Sequence, residues 1–139
     1  MRVLAAFVLA TCVAGAYGQP AHTPKTGSAE RKAVLDGIRP LAEKKLKQKL
    51  IFQVQILKVA SGYAFVTARP LRPNGKSIDW KKTPYWSALQ EGAFDEQVMG
   101  LLKKTGSKWK VLEWTLGATD FPALEWVEKH RAPKSILPS

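Results

Sequence analysis

The sequence predicts an α+β fold in which an N-terminal amphipathic helix packs on a curved four-stranded antiparallel sheet, followed by a short C-terminal helix. Three observations predict this fold. One apolar stripe recurs at helical spacing, two pairs of segments alternate with a period of two, and a last amphipathic segment lies near the C-terminus. Within each pair a short turn separates the two strands, so we expect two hairpins, and a long crossover joins one hairpin to the other.

The first helix is predicted to begin after Ser28, because serine is a favoured N-cap residue. The apolar residues that follow on one stripe are Leu35, Ile38, Ala42 and Leu46. Pro40 has no amide proton to bond back to Asp36, and Gly37 lies just before it. We therefore expect the helix to kink or split between Gly37 and Pro40.

The period changes to two after Leu50. Phe52, Val54 and Ile56 alternate with glutamines, whereas Leu57 and Val59 fall out of phase, which indicates a bulge. Ser61-Gly62 offers a turn into a second strand over 63–69, and a second hairpin is predicted from 98–104 and 109–116. The alternation in the last strand places Leu112, Trp114 and Leu116 on one face, and Trp109, Val111, Glu113 and Thr115 on the other.

The C-terminal helix is predicted within 121–131, where Asp120 offers an N-cap and Pro133 lies just beyond the end. The crossover between the hairpins, residues 71–97, is rich in turn signals and shows only a weak helical pattern near Tyr85. Long irregular segments in compact domains are often functional, so this segment is a candidate binding region.

Residues 1–18 have the pattern of a removable signal peptide, with Arg2, an apolar stretch, and small residues at Ala16 and Gly18. Residues 19–27 are predicted to be a flexible leader, and residues 28–139 a single domain. The expected location is therefore the periplasm or the medium. Cys12 leaves a second interpretation open, in which it is the lipidated first residue of a lipoprotein.

The 139-residue chain has 22 Lys and Arg residues against 11 Asp and Glu, a formal net charge of +11. This balance favours anionic partners without naming one. Cys12 is the only cysteine, so the domain has no cysteine nucleophile, iron–sulfur cluster or cysteine-rich zinc site. The two histidines, His22 and His130, lie far apart in sequence, and we expect no metal and no cofactor.

The candidate binding residues combine flat aromatic surfaces with positive charge. In the crossover these residues are Trp80, Lys81, Lys82, Tyr85 and Trp86, and in the second hairpin they are Lys103, Lys104, Lys108 and Lys110. This mixture suits sugar rings or nucleotides. A further basic run lies between residues 44 and 49. For the aromatics the favoured interpretation is that they pack over the open end of the sheet. The alternative for the lysines is that they only keep the surface soluble.

Two acidic residues are weak catalytic candidates. Glu113 lies between apolar neighbours on a strand, and Asp95 lies in the crossover. A desolvated carboxylate in a pocket has a raised pKa and can transfer protons. An ion pair with a cross-strand lysine, or a position on a solvated edge, explains Glu113 more simply than catalysis does.

A leading amphipathic helix comes before two hairpins, and the final strand has the sequence GSKWKVLEW at residues 106–114. This order of elements resembles the cystatin-like and nuclear-transport-factor-like cone-shaped domains. It is also similar to small exported bacterial proteins of unassigned function. The resemblance implies the fold alone, since such domains include enzymes, inhibitors and binding modules.

These observations favour an exported, non-enzymatic binding or accessory domain whose basic face contacts an anionic envelope polymer or a protein. Two alternatives stay open. One is a small cone-fold enzyme that uses a pocket carboxylate as acid or base, and the other is an extracellular nucleic-acid binder. The abundance of Lys over Arg favours diffuse electrostatic contact over base reading. No transmembrane segment is expected, and the oligomeric state is not predicted.

Overall fold

A computed structural model describes residues 20–139 and confirms the α+β class. The predicted signal peptide and Cys12 lie outside the described residues. The four strands form one antiparallel sheet in the order β1-β2-β3-β4. The strands are β1 Ile51–Ala60, β2 Tyr63–Leu71, β3 Val98–Thr105 and β4 Lys108–Leu116, and the helices are α1 Ala29–Leu46, α2 Trp86–Gln90 and α3 Ala123–His130. The sheet is therefore a meander in which β2 and β3 pair despite the long crossover between them.

Helix α1 begins as predicted, since the Ser28 hydroxyl accepts a hydrogen bond from the Arg31 amide at 3.2 Å. Its buried residues are Val34, Ile38, Ala42 and Leu46, with Leu35 only half-buried. The helix does not split at Pro40 but continues to Leu46. Pro40 is exposed, and the carbonyl that lacks an amide donor because of it is that of Asp36.

Both hairpins, β1–β2 and β3–β4, contain a register shift. The register of β1 on β2 shifts between Val54 and Ile56, which confirms the bulge predicted from the phase of Leu57 and Val59. The turn between these strands has positive φ at both Ser61 and Gly62 (52° and 78°), as a tight type I′ hairpin requires.

A second bulge corrects the predicted faces of β4. The register of β3 on β4 shifts between Leu101 and Leu102, which pair with Glu113 and Val111 respectively. The extra residue, Leu112, packs with the α3-side core, whereas Val111 and Trp114 both pack with the α1-side core. Strict alternation had separated Val111 from Trp114, so that prediction was wrong for the second half of the strand.

The sheet is covered on both faces. The α1-side core joins the buried stripe of α1 to one face of the sheet and to Ile78, Trp80 and Phe94 of the crossover. The α3-side core joins Phe65 and Leu101 to α3 and to the short 3-10 helix Lys134–Ile136. The domain therefore has three layers, with the sheet between α1 and the C-terminal segment.

Helix α3 begins later than predicted. Its N-cap is Pro122, which makes no side-chain capping bond, so Asp120 does not cap it. The helix ends at His130, and Arg131 follows in the left-handed conformation with φ 54°. Trp126 and Val127 face the sheet, and this packing compensates for the missing cap.

The segment before α1 is hydrogen-bonded to the domain, where a flexible leader was expected. His22 forms an antiparallel bridge with Val59, with two backbone hydrogen bonds of 2.9 and 2.8 Å. Pro24 is buried, and its carbonyl accepts a hydrogen bond from Arg31. These contacts cover part of the free edge of β1. Among residues 20–139, no helix is both long and apolar enough to cross a bilayer.

Candidate basic binding surface

The strand topology gives the sheet two distinct ends. At the turn end lie the hairpin turns at Ser61-Gly62 and Gly106, where the Lys104 amide donates to the Gly62 carbonyl at 2.8 Å. At the crossover end α1 passes into β1, and residues 72–97 connect β2 to β3. The crossover candidates lie at one end and the four hairpin lysines at the other, so the nine predicted binding residues do not form one continuous cluster.

The aromatic residues of the crossover are used mainly for packing. Trp80 is only 5% exposed, and its ring meets Phe94 edge-on at 5.2 Å between centroids. Tyr85 stacks on the same Phe94 ring at 4.9 Å. Trp86 is half-buried, and the Lys81 ammonium lies 5.6 Å from its ring centroid. Of the three predicted aromatics, Trp86 therefore combines accessible ring surface with a neighbouring cation.

A concentration of positive charge lies where α1 ends. Lys44, Lys45, Lys47 and Lys49 are all exposed. Within residues 20–139, none of these four makes an ion pair. An open depression of about 330 Å³ lies among them, lined by Glu43, Lys44, Lys47, Gln48 and Lys49. The sequence shows this basic run, but not the depression.

A reciprocal pair of hydrogen bonds joins Gln48, which lies between Lys47 and Lys49, to the crossover. The Gln48 side-chain amide donates to the Asp79 carbonyl at 3.1 Å and accepts from the Asp79 amide at 3.0 Å. Asp79 directly precedes the 3-10 helix Trp80–Lys82, so Lys81 and Lys82 lie on the same end of the sheet as Lys47 and Lys49. We refer to Lys44, Lys45, Lys47, Lys49, Lys81 and Lys82 as the basic crossover surface.

Few carboxylates neutralise the basic crossover surface. The Glu43 carboxylate accepts a hydrogen bond from the Leu50 backbone amide at 3.0 Å. The Asp79 carboxylate lies 3.5 Å from the Lys82 ammonium. Lys47 also has a positive φ of 52°, a conformation that costs an L-residue free energy. The basic crossover surface therefore carries a net positive charge. Glycine would occupy the position of Lys47 with less backbone strain.

Glu113 is held by two basic groups of α3. The Lys129 ammonium donates to its carboxylate at 2.8 Å, and His130 Nε2 lies 3.0 Å from the same oxygen. These two hydrogen bonds, with Lys129 the stronger influence, lower the pKa of Glu113 against the opposing effect of burial. Glu113 is therefore ionised at neutral pH and anchors α3 to β4. The partner is a helix lysine, not the expected cross-strand lysine.

The remaining titratable candidates lie apart from one another. Asp95 is exposed, and its backbone amide donates to the Gly117 carbonyl. The His22 ring contacts Glu30, whereas His130 contacts Glu113 on the opposite side of the sheet. In the described part of the chain, no three His, Cys, Asp or Glu side chains converge as metal ligands would.

The fold and the surface together describe a small α+β domain with a basic end. Comparisons with protein-family models, with curated proteins and with solved structures find no match to this chain.

Proposed function

We propose that this protein is an exported, non-enzymatic binding domain that holds an anionic polymer on its basic crossover surface. The observation that carries the proposal is the group of four exposed lysines at the end of α1, three of which line the depression. None of the four is paired with a carboxylate in the described residues. A chain of repeating phosphate or carboxylate groups would match this arrangement, because each lysine acts as a separate point charge on a flexible stem.

The helix dipole alone does not account for these lysines. A cation in the last turn of a helix contributes about 0.3–1 kcal/mol, and Lys44 and Lys45 already occupy that turn. Lys47 and Lys49 add positive charge beyond the helix, where mutual repulsion opposes them. A polyanion would relieve that repulsion and release its own counterions on binding.

The arrangement of acidic groups favours binding over the enzymatic alternative. A general acid needs a raised pKa, whereas the pKa of Glu113 is lowered by Lys129 and His130. Asp95 is exposed to solvent.

The cone-like curvature of the sheet is also part of the proposal. The two bulges support this curvature, because bulges increase the local bending of a strand.

The test is the affinity for two polyanions of different chemistry, long-chain polyphosphate and polygalacturonate, with dextran as the neutral control. The triple variant Lys44→Gln/Lys47→Gln/Lys49→Gln removes three cations that line the depression. Each exposed charge contact is worth about 0.5–1 kcal/mol, so we expect affinity at about 0.1 M salt to fall roughly 10- to 100-fold. The two polymers distinguish phosphate from carboxylate recognition.

A matched control separates this surface from net charge. Lys25→Gln/Lys32→Gln/Lys134→Gln also removes three exposed lysines, but none of them belongs to the basic crossover surface. We expect this control to bind within about threefold of the wild type, since long-range electrostatics are screened beyond about 10 Å at 0.1 M salt. Equal losses in the two triple variants, or no binding of either polymer by the wild type, would refute the proposal.

A further inference from the structure

We infer that the turn end of the sheet is a second, separate polyanion site, so that one domain bridges two polymer segments. This inference rests on the proposed function of the basic crossover surface. It concerns the group formed by Lys103, Lys104, Lys108 and Lys110, which we call the turn-end lysines.

The register of the sheet places like charges directly opposite each other. Lys103 of β3 is the cross-strand partner of Lys110 of β4. Directly opposed side chains in an antiparallel pair have Cβ atoms about 4.5–5.5 Å apart, and like charges at that position destabilise the sheet. Glutamate at either position would turn this repulsion into attraction, so the lysine pair is poorly explained by stability alone.

An aromatic ring lies beside one lysine of this pair. Tyr63 is the β2 partner of Lys103, and the Lys103 ammonium lies 5.5 Å from the Tyr63 ring centroid. The Tyr63 hydroxyl donates to the His130 carbonyl at 3.3 Å, which fixes the ring against the end of α3. The Lys103–Lys110 pair offers positive charge to an anionic sugar, and the fixed Tyr63 ring supports the Lys103 ammonium through a cation–π contact.

The turn-end lysines have no carboxylate partner within residues 20–139. All four are exposed. The nearest acidic residue along β4 is Glu113, which is already bound by Lys129 and His130. The charge of this group is therefore free to act on a ligand.

The two basic groups are too far apart to share one anionic group. Strand β4 runs from Lys108 at the turn end to Leu116 at the crossover end. Eight residue steps of roughly 3.3 Å separate these ends by about 26 Å. The two basic groups lie toward opposite ends of a strand of this length, so no single phosphate or carboxylate group can contact both. Two sites on opposite ends of a rigid sheet can hold two polymer segments at once.

The experiment measures binding and bridging on the same samples, with long-chain polygalacturonate as the probe. Light scattering is recorded as the ratio of protein to polymer rises, since a bivalent protein cross-links chains most strongly at an intermediate ratio and less in excess. The variant is Lys103→Gln/Lys110→Gln, and the matched control is Lys25→Gln/Lys134→Gln, which removes two exposed lysines elsewhere.

We expect the turn-end variant to bind polymer within about fivefold of the wild type while its scattering maximum falls at least fivefold, and the control to keep both properties. Wild-type protein that binds polymer without a scattering maximum would overturn the inference and leave the proposed function standing. A maximum that persists in the turn-end variant would also overturn it. Failure of the wild type to bind polygalacturonate would overturn the inference, and failure to bind polyphosphate as well would remove the proposed function itself.

Discussion

Substitution of Gly37 by alanine tests the close contact between α1 and β4. In an exposed helix, Gly→Ala stabilises by about 1 kcal/mol, because alanine has the higher helix propensity. Gly37, however, faces the sheet. A Cβ atom added there would lie 2.7 Å from the Trp109 carbonyl oxygen and 3.0 Å from Leu102 Cδ2. The first of these atoms belongs to the backbone, so it cannot move aside without displacing β4.

The expected result follows from two opposing magnitudes. Overpacking in a close-packed interior costs typically 1–3 kcal/mol, against the gain of about 1 kcal/mol from propensity. We expect Gly37→Ala to lower the free energy of unfolding by about 1 kcal/mol, measured by urea denaturation with an unchanged m-value.

The control is Lys45→Ala at an exposed position of the same helix, expected within about 0.5 kcal/mol of the wild type. If Gly37→Ala instead gained about 1 kcal/mol, the close approach of α1 to the Trp109 carbonyl would be refuted.

Three further predictions address other contacts. Gly100→Ala would place a Cβ atom 2.5 Å from Ile38 Cδ1, and Ile38→Val removes that atom, so thermal unfolding of the double variant should show less destabilisation than the sum of the single variants. The pKa of Glu113 is lower in the folded protein than in the unfolded chain. The ionised Glu113 side chain therefore stabilises the fold at pH values above its unfolded pKa, and this contribution is lost as the pH falls through its folded pKa. Glu113→Gln should therefore lower the free energy of unfolding by about 1 kcal/mol at pH 7. In urea denaturation, the difference in this free energy between variant and wild type should become smaller below about pH 4. A difference that does not change with pH would contradict the ion pair. Lys47→Gly should raise stability by about 0.5 kcal/mol by relieving the positive φ, yet weaken polymer binding in the same preparation.

Local patterns were sufficient to predict most of the fold. The Ser28 cap, the change from helical to alternating periodicity after Leu50, and the phase shift at Leu57 all correspond to features of the structure. Each of these signals is contained within a few residues, where propensity and side-chain direction decide the conformation.

The features that sequence reasoning missed depend on tertiary contacts. The bulge at Leu112 has no clear periodic signal, because β4 carries apolar residues on both faces and either phase is plausible. The hydrogen bonds between Gln48 and Asp79 join residues that are 31 positions apart, and no local motif marks them. Likewise, the lysine that binds Glu113 comes from α3, whereas strand pairing alone pointed to a neighbouring strand.

The candidate site was predicted by residue type better than by position. The lysines and aromatics of the crossover were identified from composition. In the structure, however, Trp80 is buried in the core, and Trp86 lies beside Lys81. The division of the lysines between two ends of the sheet follows from strand order, which single-sequence periodicity does not determine.

The most direct test of the central claim is to map where a polyanion contacts the folded domain. Backbone amide shifts would be followed by NMR while short polyphosphate is added to the full protein at low salt. We predict that the largest shifts fall in residues 44–50 and 79–82, and that they disappear when salt is raised to about 0.5 M. Shifts centred on the exposed apolar side of α3, at Phe121 and Leu124, or shifts that persist at high salt, would contradict the account.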